Sequence, residues 1–212
     1  MKRRMLFLTA ILVIVGVGLA AWTMTVRAGY ESAKYRILES DGSIEIREYP
    51  DLMLAVTPSK LSSKGRDGSF MRLFRYISGA NQDEQKIAMT TPVFMERTEG
   101  AADGSMSFVM PQAMTTKGVP QPIGDEVMIR KRNGGRFAVI RFSGRLDSQT
   151  TYDQERLLRE WLGSRGLKGD PKAESAGYDP PFTPGPFRRN EVLIRLVESE
   201  VLRVTKDSEP AS

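Results

Sequence analysis

The chain has 212 residues, enough for one substantial core, and it carries a formal charge of +5. Lys2, Arg3, Arg4 and Arg27 supply four of those charges, so residues 29–212 carry about +1 and lack the clustered positive field that nucleic-acid binding requires. The sequence has no histidine and no cysteine, which excludes a Ser-His-Asp triad, a thiolate nucleophile, disulfides, and imidazole or thiolate ligands for a metal.

An uncharged, largely apolar run from Met5 to Val26 follows the three basic residues near the N-terminus. As a helix this run would reach roughly 33 Å at about 1.5 Å per residue, enough to cross a hydrocarbon core of about 30 Å. The basic flank favours a cytoplasmic N-terminus and a domain on the other side, which is the periplasm in a bacterium. We therefore expect residues 1–28 to be a retained membrane anchor; the alternative is export after cleavage near Ala28, where small residues resemble a signal-peptidase site.

The next part of the chain predicts a strand pair and a helix. Residues 44–49 alternate apolar and charged side chains, and Pro50-Asp51 then makes a turn into the apolar residues 52–56, which predicts a β-hairpin. After a polar loop, apolar residues recur at helical spacing, and Gly79 is placed to end the helix. We expect this first helix to run from Ser69 to Ser78.

The run from Lys86 to Met95 predicts a strand that bends at Pro92, because proline cannot donate to a ladder. Residues 105–110 supply a partner strand, and the proline-containing residues 111–126 predict a loop. Residues 127–130 and 136–142 then flank Asn133-Gly134-Gly135, which predicts a second tight hairpin.

A second helix is predicted to begin near Thr151, where Thr151-Tyr-Asp-Gln154 matches a capping box. Its predicted buried face consists of Leu157, Leu158, Trp161 and Leu162. A closing strand is expected over residues 191–197.

The second hairpin copies the first when the sequence is shifted by 83 residues without a gap, since Ile44 then meets Val127 and Ala55 meets Ala138. A helix follows each copy. The expected fold class is α+β: two duplicated strand-strand-helix-strand-strand halves form a distorted, mostly antiparallel β-barrel with two flanking helices, preceded by an N-terminal hydrophobic helix. Residues 29–198 are expected to form one domain, followed by a flexible tail over 199–212.

Three motifs in the order of the chain resemble the SOUL haem-binding family: Lys86-Ile-Ala-Met-Thr-Thr-Pro-Val93, Gly177-Tyr-Asp-Pro-Pro181 and Arg188-Arg-Asn-Glu191. The similarity extends from about Tyr30 to Val197. It implies a small protein, expected to be a monomer and not an enzyme, that binds haem or another tetrapyrrole.

The resemblance implies a cleft between the first helix and the 177–181 loop, formed by Phe70, Met71, Phe74, Arg75, Tyr178 and Phe182. Aromatic and thioether surface suits a flat apolar macrocycle, and Arg75 would pair with its propionates. The alternative for Phe70 and Phe74 is an ordinary core position on the apolar stripe of the helix, and for Arg75 a solvated surface charge.

Some members of the family have been proposed to hold iron through a histidine, which this sequence lacks. Met71, Met89 or Tyr178 could coordinate iron in its place, although methionines are more often core fillers.

Three other functions remain open from the sequence. The first is a sensor or carrier of a different flat hydrophobic molecule. The second is a hydrolase that uses a carboxylate of raised pKa, for which the candidates are Glu45, Glu48 and Glu191. The third is a protein-interaction role for the loop over residues 111–126.

Overall fold

The computed structural model describes Gly18 and residues 29–60, 67–97, 103–180 and 182–197. Apart from Gly18, the expected N-terminal anchor lies outside the described residues, and so does the expected C-terminal tail. Among the described residues, no helix has the length and apolar character needed to cross a membrane.

The described residues form eleven strands and three α-helices. The strands are β1 (Glu31–Ser32), β2 (Arg36–Asp41), β3 (Ile44–Tyr49), β4 (Leu52–Lys60), β5 (Thr90–Thr91), β6 (Val93–Arg97), β7 (Asp103–Val109), β8 (Met128–Arg132), β9 (Gly135–Phe142), β10 (Gly169–Gly177) and β11 (Asn190–Leu196). The helices are α1 (Ser69–Ile77), α2 (Gln112–Lys117) and α3 (Ser148–Ser164), and a 3-10 turn spans Gly185–Phe187. The α+β class is confirmed.

Nine strands form one sheet in the order β2-β3-β9-β11-β10-β6-β7-β4-β8, in which every pair is antiparallel. Without β2, this order is symmetric: exchanging β3 with β8, β4 with β9, β6 with β10 and β7 with β11 reproduces it in reverse. The strands related by the 83-residue shift therefore hold equivalent places. The centre of this symmetry lies between β6 and β10.

The two predicted hairpins are wrong, because the strands in each do not pair with each other. β3 pairs with β9, and β4 pairs with β8, so each of these strands pairs with a strand of the other half. The turn between β3 and β4 and the turn between β8 and β9 form two corners of the chain. The corners touch where a Cβ on Gly134 would lie 2.4 Å from the carbonyl oxygen of Tyr49 and 2.9 Å from the backbone nitrogen of Asp51. The Gly134 N–H donates to Asp51 Oδ1 at 2.8 Å, which fastens the two corners. Glycine is needed here for close approach, not for a hairpin turn.

The sheet curls but does not close into the predicted barrel. β3 already uses one edge for β9 and the other for β2, so its hydrogen-bonding groups are not available to β8. β2 and β8 are therefore the two edge strands of the sheet.

The core is divided into three clusters. One lies within the curl of the sheet and includes Tyr49, Phe94 and Phe137. The second packs under α1 around Leu73, and the third under α3 around Leu158. Each helix thus covers one half of the sheet.

Helix α1 matches its predicted range, since it begins at Ser69 and is capped at Ser78. Helix α3 begins three residues before the predicted Thr151, because Asp147 is the N-cap and its Oδ1 accepts from Thr150 N at 2.9 Å. Leu157, expected on the buried face, is 42% exposed. The predicted 111–126 loop contains the short helix α2, whose N-cap is Pro111.

Candidate functional site

A cleft of about 560 Å³ opens at the centre of the symmetry, between α1 and the N-terminus of α3. Strands β6 and β10 form its floor. Because strand side chains alternate, Val93 and Met95 project into the cleft while Phe94 between them lies in the core. On β10 the corresponding positions are the small residues Ser175 and Gly177, which leave the space open.

The wall of the cleft on the α1 side is aromatic and rich in thioethers. The rings of Phe70 and Phe74 are nearly parallel, with an interplanar angle of 14° and centroids 6.1 Å apart. Met89 and Met106 extend the same apolar surface. This wall can take the face of a flat apolar molecule.

The opposite wall carries positive charge. Arg97, Arg145 and Arg188 line the cleft, together with Asp147 and Asp179. Both aspartates have structural partners: Asp147 caps α3, and Asp179 Oδ2 accepts from Arg189 N at 2.6 Å. Arg97 donates to the carbonyl of Ser148 at 3.0 Å, and Arg188 Nε donates to the carbonyl of Thr183 at 2.7 Å.

Arg145 differs from the other two arginines. It is exposed, lies in the connection between β9 and α3, and makes no ion pair or hydrogen bond within the described part of the chain. Its guanidinium is therefore the cleft cation best placed to pair with a carboxylate on a ligand.

Tyr178 lines the cleft but its hydroxyl is committed to the core. It donates to Glu191 Oε2 at 2.9 Å, and the tyrosine is only 6% exposed. Burial, followed by the charge of Glu191, raises the pKa of Tyr178 well above its ordinary value. The neutral hydroxyl thus serves as a hydrogen-bond donor, which is not the role of an iron ligand.

Glu191 is fully buried and receives hydrogen bonds from two arginines. Arg47 binds both carboxylate oxygens, at 2.8 and 3.0 Å, and Arg189 adds bonds of 2.7 and 3.0 Å to Oε1. Burial alone raises the pKa of Glu191, but the hydrogen bonds and charge of Arg47, with those of Arg189, outweigh it and leave the pKa below its ordinary value. This carboxylate stays ionised, so it cannot act as a general acid.

The other two carboxylates considered for hydrolysis are also held in ion pairs. Glu45 accepts from Arg47 Nε at 2.6 Å, and the more exposed Glu48 accepts from Arg36 at 2.6 Å. None of the three lines the cleft. These carboxylates act as structural partners of arginines.

Of the six site residues expected from the sequence, Phe70, Phe74 and Tyr178 line the cleft. The remaining three, Met71, Arg75 and Phe182, are not among its lining residues. Met71 and Arg75 each follow a lining residue by one position, which turns them about 100° around the helix. The Nη2 atom of Arg75 lies 3.9 Å from Oε2 of Glu126, and the Phe182 residue is 68% exposed.

Sequence reasoning missed the cations of the cleft. Arg97 and Arg145 lie in different halves and meet only because β6 and the start of α3 border the same space. The sequence carried one signal for these cations, since Arg188 belongs to the Arg188-Arg-Asn-Glu191 motif.

The sequence analysis also missed strand β10, because Gly169–Gly177 contains a proline and few apolar residues.

The cleft offers sulfur and oxygen, but no imidazole, to a metal. Among the described residues, no cluster of three or more acidic side chains could hold a metal ion. The thioethers of Met89, Met95 and Met106 are the soft donors within the cleft.

A family model described as SOUL heme-binding protein matches residues 30–195 of the chain. Heme-binding protein 2 from Homo sapiens is 30% identical over 148 residues, which cover 66% of this chain and 72% of the human protein.

Solved structures share the fold at low sequence identity. A hydrolase encoded by lin2189 from Listeria innocua superposes with a TM-score of 0.51 at 10% identity, covering 76% of this chain and 94% of that one. The EcmrR C-terminal domain gives a TM-score of 0.51 at 10% identity, with 78% and 99% covered. At these identities the similarity establishes the fold alone.

Proposed function

The chain belongs to the SOUL haem-binding family, and we propose that it binds haem or another tetrapyrrole in the cleft between α1 and α3. The observation that carries this proposal is the pairing of two unlike walls. The stacked Phe70 and Phe74 offer a flat apolar surface, and Arg97, Arg145 and Arg188 offer cations for carboxylates. The volume of about 560 Å³ lies within the range of about 300–1,000 Å³ of small-molecule sites.

The residues of the cleft fit a tetrapyrrole with two propionates. The ring would lie against Phe70, Phe74 and Met106, and its propionates would pair with Arg145 and its neighbours on the opposite wall. Bound haem would supply an iron centre with its own ligand-exchange and redox chemistry. Because the chain has no histidine, the cleft residues that would hold the iron are the thioethers of Met89, Met95 and Met106 and the phenol of Tyr30.

The protein acts as a binder or carrier, without catalysis of its own. This part of the proposal is supported by the three carboxylates considered for hydrolysis, Glu45, Glu48 and Glu191. Each is held in an ion pair with an arginine, and none of them lines the cleft. The chain has no nucleic-acid partner, in keeping with the near-neutral charge of residues 29–212. We propose that it acts as a monomer.

The apolar run from Met5 to Val26 anchors the protein in a membrane, with the domain on the non-cytoplasmic side. Intact protein should remain with membranes after an alkaline wash. Recovery of a soluble form that begins near Gly29 would show that the segment is cleaved and that the protein is exported, which contradicts a retained anchor.

The ligand is tested by titrating a fragment that begins at Gly29 with haemin and with iron-free protoporphyrin. Similar affinities are expected, because the cleft recognises the ring and its carboxylates. Failure of both to bind would exclude the tetrapyrrole. A low-spin haemin spectrum with two strong ligands would contradict the expectation of similar affinities, because coordination of the iron by the protein would then add to the affinity.

A second candidate is a sensor or carrier of another flat apolar molecule. The observation that favours it is the apolar lining of the cleft, because Val93 and Met95 on the floor and Met106 on the wall beside α1 would pack against a flat apolar ring with or without iron. Competition between protoporphyrin and other planar aromatic acids would distinguish the two ligands.

A further inference from the structure

The chain is fastened to the wall of the cleft directly after its apolar run. Strand β1 pairs with β5, so that Ser32 lies opposite Thr91, and the hydroxyl oxygens of these residues are 2.7 Å apart. Ala33 N donates to the Thr91 carbonyl at 2.8 Å. Thr91 lines the cleft, and so does Tyr30, the residue before β1. The domain thus has no long linker between its cleft and residues 1–28.

The distance from the apolar run to the cleft is correspondingly short. Val26 and Tyr30 are four residues apart, so even a fully extended chain spans at most about 14 Å between them. Whatever surface receives the apolar run therefore lies next to the wall of the cleft that contains Tyr30.

The residues around the cleft suit a surface of anionic phospholipid headgroups. Arg97, Arg145 and Arg188 line the cleft, and Arg27 lies between the apolar run and β1. Juxtamembrane arginines are attracted to anionic lipids. Exposed apolar side chains accompany them: Phe74 lines the cleft and is 42% exposed, and Phe182, two residues beyond the lining residue Pro180, is 68% exposed.

We propose that the mouth of the cleft faces the surface of the bilayer, so that an amphiphilic carboxylate-bearing ligand passes directly between the lipid and the cleft. This inference rests on the proposed anchoring by residues 5–26, and it adds an interaction surface and a route to the proposed binding. The partner is a phospholipid bilayer that contains anionic lipid.

The absence of cysteine allows a clean test, because each introduced cysteine is a unique labelling site. In the full chain reconstituted into phosphatidylcholine and phosphatidylglycerol vesicles, a fluorophore is attached to Phe182→Cys or, as the control, to Lys131→Cys. Lys131 is a half-exposed residue on the edge strand β8. By alternation with the inward-facing Arg132, Lys131 lies on the helix-bearing face of the sheet, but β7 and β4 separate β8 from the cleft strand β6 by about 14 Å, and α1 packs on those two strands.

Lipids that carry a quencher on the headgroup should quench the label at position 182 and leave the label at position 131 bright. Equal quenching at the two positions, or quenching at position 131 alone, would overturn the orientation.

A flexible spacer supplies the second test. About 20 Gly and Ser residues inserted between Ala28 and Gly29 have a root-mean-square reach of about 25 Å, which frees the cleft from the surface. The spacer should reduce the quenching at position 182 and slow the uptake of haemin from the same vesicles several-fold, while the affinity of the released domain for haemin stays unchanged. Unchanged quenching and uptake would overturn the inference.

The two proposals can fail separately. If the fragment from Gly29 does not bind haemin but quenching at position 182 persists, the tetrapyrrole is wrong and the membrane-facing surface stands. If haemin binds but position 182 is not quenched, the surface is wrong and the ligand stands. Release of the full chain from vesicles by an alkaline wash overturns both the anchor and the orientation.

Discussion

The hydroxyl of Tyr178 donates to the carboxylate of Glu191 at 2.9 Å, so a residue that lines the cleft is fastened to a charge buried in the core. Arg47 and Arg189 hold the same carboxylate from other sides. The rings of Tyr35 and Tyr178 lie against their guanidinium groups, at 4.2 and 4.0 Å from ring centroid to Cζ. The cleft wall at Tyr178 is therefore joined to the core through an ionic network.

Replacing Glu191 by glutamine should destabilise the fold by about 3–5 kcal/mol, because it removes a fully buried carboxylate that pairs with both Arg47 and Arg189 and leaves Arg47 with Glu45 alone. Urea unfolding monitored by circular dichroism measures the loss. The matched control is Glu48→Gln, which breaks the exposed pair with Arg36 and should cost about 0–1 kcal/mol. Equal costs for the two variants would contradict the structural role of Glu191.

The network also predicts how stability depends on acid. The pKa of Glu191 is lower in the folded chain than in the unfolded one, so the unfolded state binds more protons as the pH falls. The stabilisation is complete above the unfolded-state pKa and is lost as the pH falls through the folded-state pKa. Unfolding free energies measured from neutral to acid pH should show this slope, and Glu191→Gln should flatten it relative to Glu48→Gln.

Replacing Phe74 by alanine should weaken haemin binding by about 1–2 kcal/mol, or roughly 5- to 30-fold in Kd, because it removes aromatic surface from the cleft wall. Met71→Ala, on the same helix but outside the lining, should leave the Kd unchanged. Fluorescence or absorbance titration of both variants decides the matter. Since Phe74 is 42% exposed, its loss should leave the core intact, and thermal unfolding checks this.

Replacing Arg145 by glutamate should weaken haemin binding by about 1 kcal/mol, or roughly fivefold, through repulsion of the propionates at an exposed site. Arg75→Glu should have little effect, because Arg75 faces Glu126 and does not line the cleft. The dimethyl ester of haemin lacks the propionate charges, so it should bind the Arg145 variant and the unaltered chain alike. A penalty that persists with the ester would assign Arg145 a steric role.

Replacing Gly134 by alanine should destabilise the domain by about 1–3 kcal/mol, because the new methyl group would meet backbone atoms of Tyr49, Pro50 and Asp51 within 3 Å. Gly163→Ala is the control: its Cβ would meet nothing within 4 Å, and it lies in α3, where alanine should add about 0.5–1 kcal/mol. Thermal unfolding of the two variants should shift in opposite directions.

Local pattern was enough to predict several elements. The apolar spacing of residues 70–77 predicts α1, and the alternation of residues 44–49 predicts β3, because both depend on a periodicity that neighbouring residues carry. The 83-residue repeat and the three motifs also lie within the sequence itself. From them follow the two-part α+β organisation and the family.

Strand pairing and the charged wall of the cleft were decided only by the tertiary structure. Tyr49 lies opposite Gly135, and Arg97 shares a cleft with Arg145, although each pair is distant in sequence and lies in different halves. Hairpin chemistry at Asn133-Gly134 favours local pairing, but contact between the two corners and burial of Tyr49 and Phe137 against each other outweigh it. Such contacts gain their energy from surfaces that meet only when the chain has folded, which is why no local pattern encodes them.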